Sequence, residues 1–83
     1  MLIIKEEQYK IKVGNEVFTV DYPSFEDAIA ISKEFTGLTG EEATNKMKDW
    51  LLKLGLSTEF FGMKVIKAKH VMTIWQEINS VKK

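Results

Sequence analysis

The chain contains no cysteine and no arginine, and it has one histidine and one proline. Without cysteine, the sequence excludes disulfide bonds, thiolate nucleophiles and cysteine-ligated zinc or iron–sulfur sites. Without arginine, the bidentate guanidinium contacts that favour guanine bases and phosphate groups are excluded as well. His70 has no companion at a ligand spacing such as His-x-x-x-His, so the pattern favours an imidazole at or near the surface and no metal site.

Patterns for catalysis and nucleotide binding are also missing. The serines have explanations as helix caps or helix-surface residues, and none lies in a Gly-x-Ser-x-Gly turn. The acidic pairs Glu26–Asp27 and Glu41–Glu42 fall in helix first turns, where the helix dipole favours them. The glycines form neither a Gly-Lys-Ser nor a Gly-x-Gly-x-x-Gly frame. We therefore predict a protein that is not an enzyme and binds no cofactor.

Length and composition predict one domain over residues 1–83, since 45% hydrophobic and 29% charged content is typical of a small globular chain. The apolar run Met1–Ile4 lacks a preceding basic region and is far shorter than the roughly 20 apolar residues of a membrane span. We expect a soluble, cytoplasmic protein with no membrane partner.

Charge is divided between the two halves of the chain. Residues 1–42 carry four lysines and nine acids, a net charge of −5, whereas residues 43–83 carry eight lysines and three acids, a net charge of +5. The simplest interpretation is that acidic and basic elements lie beside each other within the fold. Because the total is zero, nucleic acid is not expected as a partner.

Alternating apolar residues predict a β-hairpin over about residues 8–22. Gly14-Asn15 suits a type II′ turn, which would pair Val13 with Glu16, Ile11 with Phe18 and Tyr9 with Val20. Residues 2–4 could extend the first strand or add another, and the pattern does not decide between them.

Helical periodicity predicts four helices, over about residues 24–36, 40–54, 57–61 and 67–79. Ser24 and Asp27 form a capping box for the first helix, Thr39 and Glu42 form the clearest one for the second, and Gly55 ends the second helix in a Schellman motif with Leu56. The inner face expected for the first helix is Phe25, Ala28, Ile29, Ser32 and Phe35.

Ile31 lies off that face and could contact a neighbouring element or a partner. In the last helix Val81 is expected inward, and Lys82 and Lys83 complement the negative end. The predicted fold class is α+β, an N-terminal β-hairpin packed on a bundle of three to four short helices. Its core would include Trp50, Trp75, Phe18, Phe25 and Phe35.

The segment after the second helix is the candidate protein-binding surface. Phe60, Phe61 and Met63 surround Gly62, and three large apolar side chains in a short irregular segment are hard to bury together. They either present a surface to a partner helix or close the bottom of a small core. Lys64, Lys67 and Lys69 would form a basic rim, although they could equally be a solvated helix start.

The order of the elements, together with two stretches of sequence, resembles that of a known group of proteins. A Tyr-Pro-Ser-Phe-Glu-Asp helix start is followed by the stretch WLLKLGLSTEFFGMKVIKAKHVMTIWQEI. Over about residues 17–79 the chain resembles the small tail assembly chaperones of tailed bacteriophages and prophages. The resemblance implies a non-enzymatic protein that keeps the helical tape measure protein soluble during tail morphogenesis.

Two other classes stay open from the sequence: a small DNA-binding regulator that uses the last helix, and a structural or adaptor phage protein that oligomerises. A two-stranded hairpin leaves unpaired edges, so we also expect a homo-oligomer, with residues 2–4 as the pairing strand.

Overall fold

The computed structural model describes residues 1–4 and 7–80. Its elements, in chain order, are β1 (Gln8–Val13), β2 (Glu16–Asp21), α1 (Phe25–Glu34), α2 (Gly40–Lys53), α3 (Thr58–Gly62) and α4 (Ala68–Asn79). The predicted α+β class, a hairpin followed by short helices, is confirmed. The predictions for Val81, Lys82 and Lys83 lie outside the described residues. No helix in the described ranges is long and apolar enough to cross a membrane.

The hairpin has the register that the alternation predicted. Val13 pairs with Glu16, Ile11 with Phe18 and Tyr9 with Val20 in an antiparallel ladder. Gly14 has a φ of +61°, the left-handed conformation that the first turn position requires and that glycine adopts without a steric penalty. Residues 1–4 are exposed and belong to no strand, so they neither extend β1 nor add a separate strand.

Helix α1 begins as predicted but packs on a different face. The Ser24 hydroxyl accepts a hydrogen bond from the Asp27 N–H at 3.1 Å, and the Asp27 carboxylate accepts one from the Ser24 N–H at 3.2 Å. The expected inner face is wrong: Phe25 is 81% exposed and Ile31 is buried. The Phe35 ring stacks on Trp75 at 5.0 Å between centroids, and this contact turns Ile31 toward the core.

The capping box predicted for Thr39 and Glu42 at the start of α2 is wrong, whereas the end of this helix is as predicted. At its start Thr39 occupies the N-cap position but makes no side-chain cap hydrogen bond. Gly40, the first residue of α2, has a φ of +59°, which is not the helical value, and the first-turn amides receive no hydrogen bond from the Thr39 hydroxyl. At its end the Schellman motif is confirmed, since Leu56 N–H donates to the Leu51 carbonyl and Gly55 N–H to the Leu52 carbonyl.

One core joins the hairpin to the helices. It contains both tryptophans and the following further side chains: Val20, Ile31, Leu51, Leu54, Leu56, Phe60, Val71, Ile74 and Ile78. Phe18 and Phe35 are half-buried against it, as expected, whereas Phe25 takes no part. A hydrogen bond of 2.9 Å from the Asp21 N–H to the Leu54 carbonyl ties the end of β2 to the end of α2.

Candidate protein-binding groove

An apolar groove lies between β1 and the first half of α4. Its volume is about 670 Å³. Its lining residues are Ile11, Lys12, Val13, Gly14, Phe60, Met63, Val65, Ile66, His70, Thr73 and Ile74. The volume falls within the range typical of sites that accept apolar ligand groups, about 300–1,000 Å³. The groove is therefore the strongest candidate for a binding site in this part of the chain.

Three segments build the walls of the groove, each for a local reason. Period-two alternation sends Ile11 and Val13 to the same face of β1. Helical spacing sends His70 and Ile74, which are one turn apart, to one face of α4. The connection between α3 and α4 supplies the third wall, and its Val65 side chain is 60% exposed. A large apolar side chain is therefore left open to solvent at the groove.

His70 also fixes the start of α4. Its Nδ1 accepts a hydrogen bond of 2.9 Å from the backbone N–H of Lys67, the N-cap residue. This satisfies a donor near the helix start, where side chains commonly replace the missing backbone partner. His70 lies at the surface, as predicted, but its capping role was not predicted.

Phe60 and Phe61, the two aromatic residues predicted for the binding surface, differ in their burial. Phe60 is 0% exposed and contacts Phe18 edge to face at 5.3 Å between centroids. It closes the floor of the groove, so Phe60 follows the second of the two alternatives, a side chain that closes the core. Phe61 is half-buried, does not line the groove, and lies against α2 with the Lys48 Nζ 5.6 Å from its ring centroid. Of the three predicted apolar residues, Met63 is half-buried and lines the groove directly.

The predicted lysines lie beside the groove and do not line it. Lys64, Lys67 and Lys69 are all exposed, and the first two lie in the same connection as Met63 and Val65. Lys12 is the lysine that lines the groove itself. Within residues 1–4 and 7–80 the one ion pair is Lys46 with Glu34, at 3.7 Å. These four ammonium groups therefore have no carboxylate partner among the described residues.

The edge of β1 that does not pair with β2 runs along the groove. In a hairpin closed by a two-residue turn, hydrogen-bonded and non-bonded pairs alternate away from the turn, so the backbone groups of Lys10 and Lys12 point away from β2. No described backbone group bonds to them. The expected open edge of the hairpin is thus present on β1, whereas the Asp21 amide on β2 is bonded to Leu54.

A second pocket, of about 2000 Å³, is more polar than the groove. It is lined by acids and lysines from the start of β1, the end of β2 and the end of α4, including Glu7, Lys10, Asp21 and Glu77. Burial raises the pKa of the nearby Tyr9 above its ordinary value of 10.0, and the negative charge of Glu77 and the neighbouring Tyr22 raise it further. No group of three potential metal ligands forms among the described residues.

Several groove residues were not singled out by the sequence. Ile11, Val13 and Ile74 carry an ordinary core periodicity, and nothing in that pattern separates a residue at a groove from one beneath it. Val65 and Ile66 belong to an apolar stretch beside Gly62, which was the available signal. No protein-family model matches the chain, and no curated protein or solved structure matches it significantly. The case for function thus rests on the groove and on the resemblance described above.

Proposed function

We propose that this protein is a non-enzymatic chaperone that holds an apolar helical segment of a partner protein in the groove. The observation that carries the proposal is the open apolar groove of about 670 Å³ with a basic border. The resemblance to tail assembly chaperones makes the tape measure protein of a tailed bacteriophage, or another tail protein, the candidate client. The proposed setting is the cytoplasm of the bacterial host.

The groove suits one face of an amphipathic helix. Such a helix presents apolar side chains at i, i+3, i+4 and i+7, and it binds by inserting a few of them between apolar walls. Ile11 and Ile74 offer branched walls from opposite sides, while Met63 offers a flexible thioether that adjusts to different side chains. A chaperone that meets a long, variable client benefits from that adaptability.

The lysines that border the groove favour a client with acidic residues beside its apolar face. Lys12, Lys64 and Lys67 have no described carboxylate partner, so acidic residues beside the client's apolar face would complete the pairs. Exposed pairs of this kind act mainly on the rate of encounter and on sensitivity to salt. We expect Lys64→Glu with Lys67→Glu to slow association and to flatten its salt dependence, while the dissociation rate changes little.

The decisive test replaces apolar groove residues that the core does not need. Met63→Ser with Val65→Ser is expected to leave the melting transition nearly unchanged and to abolish capture of a tape measure fragment in a pull-down. Val17→Ser with Met72→Ser is the matched control, because both residues are exposed apolar side chains outside the groove. Capture that survives the groove substitutions, or is lost equally in the control, would refute the site.

The conformation of the bound client is a separate measurement. Circular dichroism of the complex is expected to show added helical signal relative to the separate components. Added strand signal would mean that the client pairs with the open edge of β1 instead.

A further inference from the structure

The outward face of α1 is an apolar surface with no partner in the described residues. Phe25 is 81% exposed and Ile29, one helical turn later, is 43% exposed. Ala28 and Ser32 extend the same face and are exposed too. Ile31 and Phe35 pack into the core on another face of the helix, so the face that carries Phe25 and Ile29 is left open within the described residues.

A pair of opposite charges borders this apolar face. Glu26 and Lys33 are both exposed and lie seven residues apart, which is two helical turns, so they follow one line along the helix. Neither takes part in the ion pair found in the described residues, which joins Lys46 and Glu34. The acid lies near the start of α1 and the base near its end.

We propose that α1 packs against α1 of a second copy of this chain, antiparallel and related by a two-fold axis. A two-fold axis near Ile29 places Glu26 of each copy opposite Lys33 of the other, so the interface contains the same ion pair twice. Ile29 packs against its symmetry mate beside the axis, and Phe25 covers each end of the contact. An isologous dimer requires this kind of self-complementary surface.

The charges distinguish a second copy from an unrelated partner. One acid and one base at equal distances from the centre of an apolar face complement the same face turned end to end. They give no net attraction to a uniformly charged partner. A ten-residue helix is only about 15 Å long, so the buried area falls below about 1,200 Å² and the dimer is weak and concentration-dependent.

Sedimentation of charge-reversal variants tests the antiparallel contact in solution. Glu26→Lys and Lys33→Glu each replace two attractive contacts with two repulsive ones, and each is expected to weaken dimerisation about tenfold or more. An equimolar mixture of the two variants restores attraction and should form a mixed dimer. The double variant Glu26→Lys with Lys33→Glu should recover a homodimer. Ile29→Asp should leave a folded monomer.

Controls separate this face from other routes of self-association. Asp49→Lys, at an exposed position in α2, and deletion of residues 1–4 are both expected to leave the dimer unchanged. A protein that stays monomeric at millimolar concentration would overturn the proposal. So would a Glu26→Lys variant that dimerises normally, or a mixture that fails to recover association while each variant keeps its folded circular dichroism spectrum. Since α1 does not line the groove, loss of the dimer and loss of client binding are independent results.

Discussion

Trp50 joins α2 to the rest of the core through contacts of three kinds. Its side chain is 5% exposed, its Nε1 donates a hydrogen bond of 3.0 Å to the Glu34 carboxylate, and the Lys53 Nζ lies 4.6 Å from the ring centroid. Glu34 in turn is 3.7 Å from the Lys46 ammonium. Truncating Trp50 therefore removes core volume and disconnects α1 from α2.

The expected loss is large relative to the whole stability of the chain. Trp→Ala substitutions in cores cost about 3–5 kcal/mol, a value that already includes the lost contacts. A domain of this length is stable by about 4–12 kcal/mol, at roughly 0.05–0.15 kcal/mol per residue. Trp50→Ala should lower the melting temperature by roughly 12–40 °C, or leave the chain unfolded at room temperature.

A second substitution separates the hydrogen bond from the packing. Trp50→Phe keeps most of the apolar ring but removes the indole N–H, and we expect it to cost about 1–2 kcal/mol. Glu34→Ala removes the acceptor and should cost about 1 kcal/mol, because the carboxylate is partly solvated. In a double-mutant cycle the two changes should couple by about 1 kcal/mol.

Urea unfolding followed by circular dichroism measures all of these variants. Trp75 remains as the single tryptophan in each Trp50 variant, so its fluorescence reports the same transition from the other side of the core. Glu34→Gln is the control, since its amide oxygen can still accept the hydrogen bond. An unchanged midpoint in Trp50→Ala would show that the side chain is not in the core. Zero coupling would refute the hydrogen bond.

Two further predictions concern a helix cap and an ionisable side chain. Ser24→Ala should lower the free energy of unfolding by about 1 kcal/mol. Thr39→Ala, at an N-cap that makes no side-chain bond, should change it by no more than about 0.3 kcal/mol. Equal urea midpoints for the two variants would contradict the capping assignment. Because the folded state raises the pKa of Tyr9, its contribution to stability is complete below the ordinary value of 10.0 and is lost as pH rises through the higher folded value. Unfolding midpoints measured between about pH 9 and pH 11 should therefore fall less steeply in Tyr9→Phe than in the unaltered chain.

Local features of the chain were predictable because nearby residues determine them. The hairpin register follows from a period of two and a two-residue turn, so Ile11 pairs with Phe18 without reference to any helix. The Schellman end of α2 follows in the same way from Gly55 and its hydrophobic neighbour. Both depend on contacts within a few residues along the chain.

The sequence by itself determined the α+β class, the hairpin register and the succession of helices. It did not determine which face of α1 is buried, because that helix carries two apolar stripes and its own periodicity favours neither. Contacts with Trp50 and Trp75, distant in sequence, select Ile31 and leave Phe25 in solvent. The tertiary structure likewise buries Phe60 and turns Phe61 toward α2, since adjacent side chains on a short helix point in different directions.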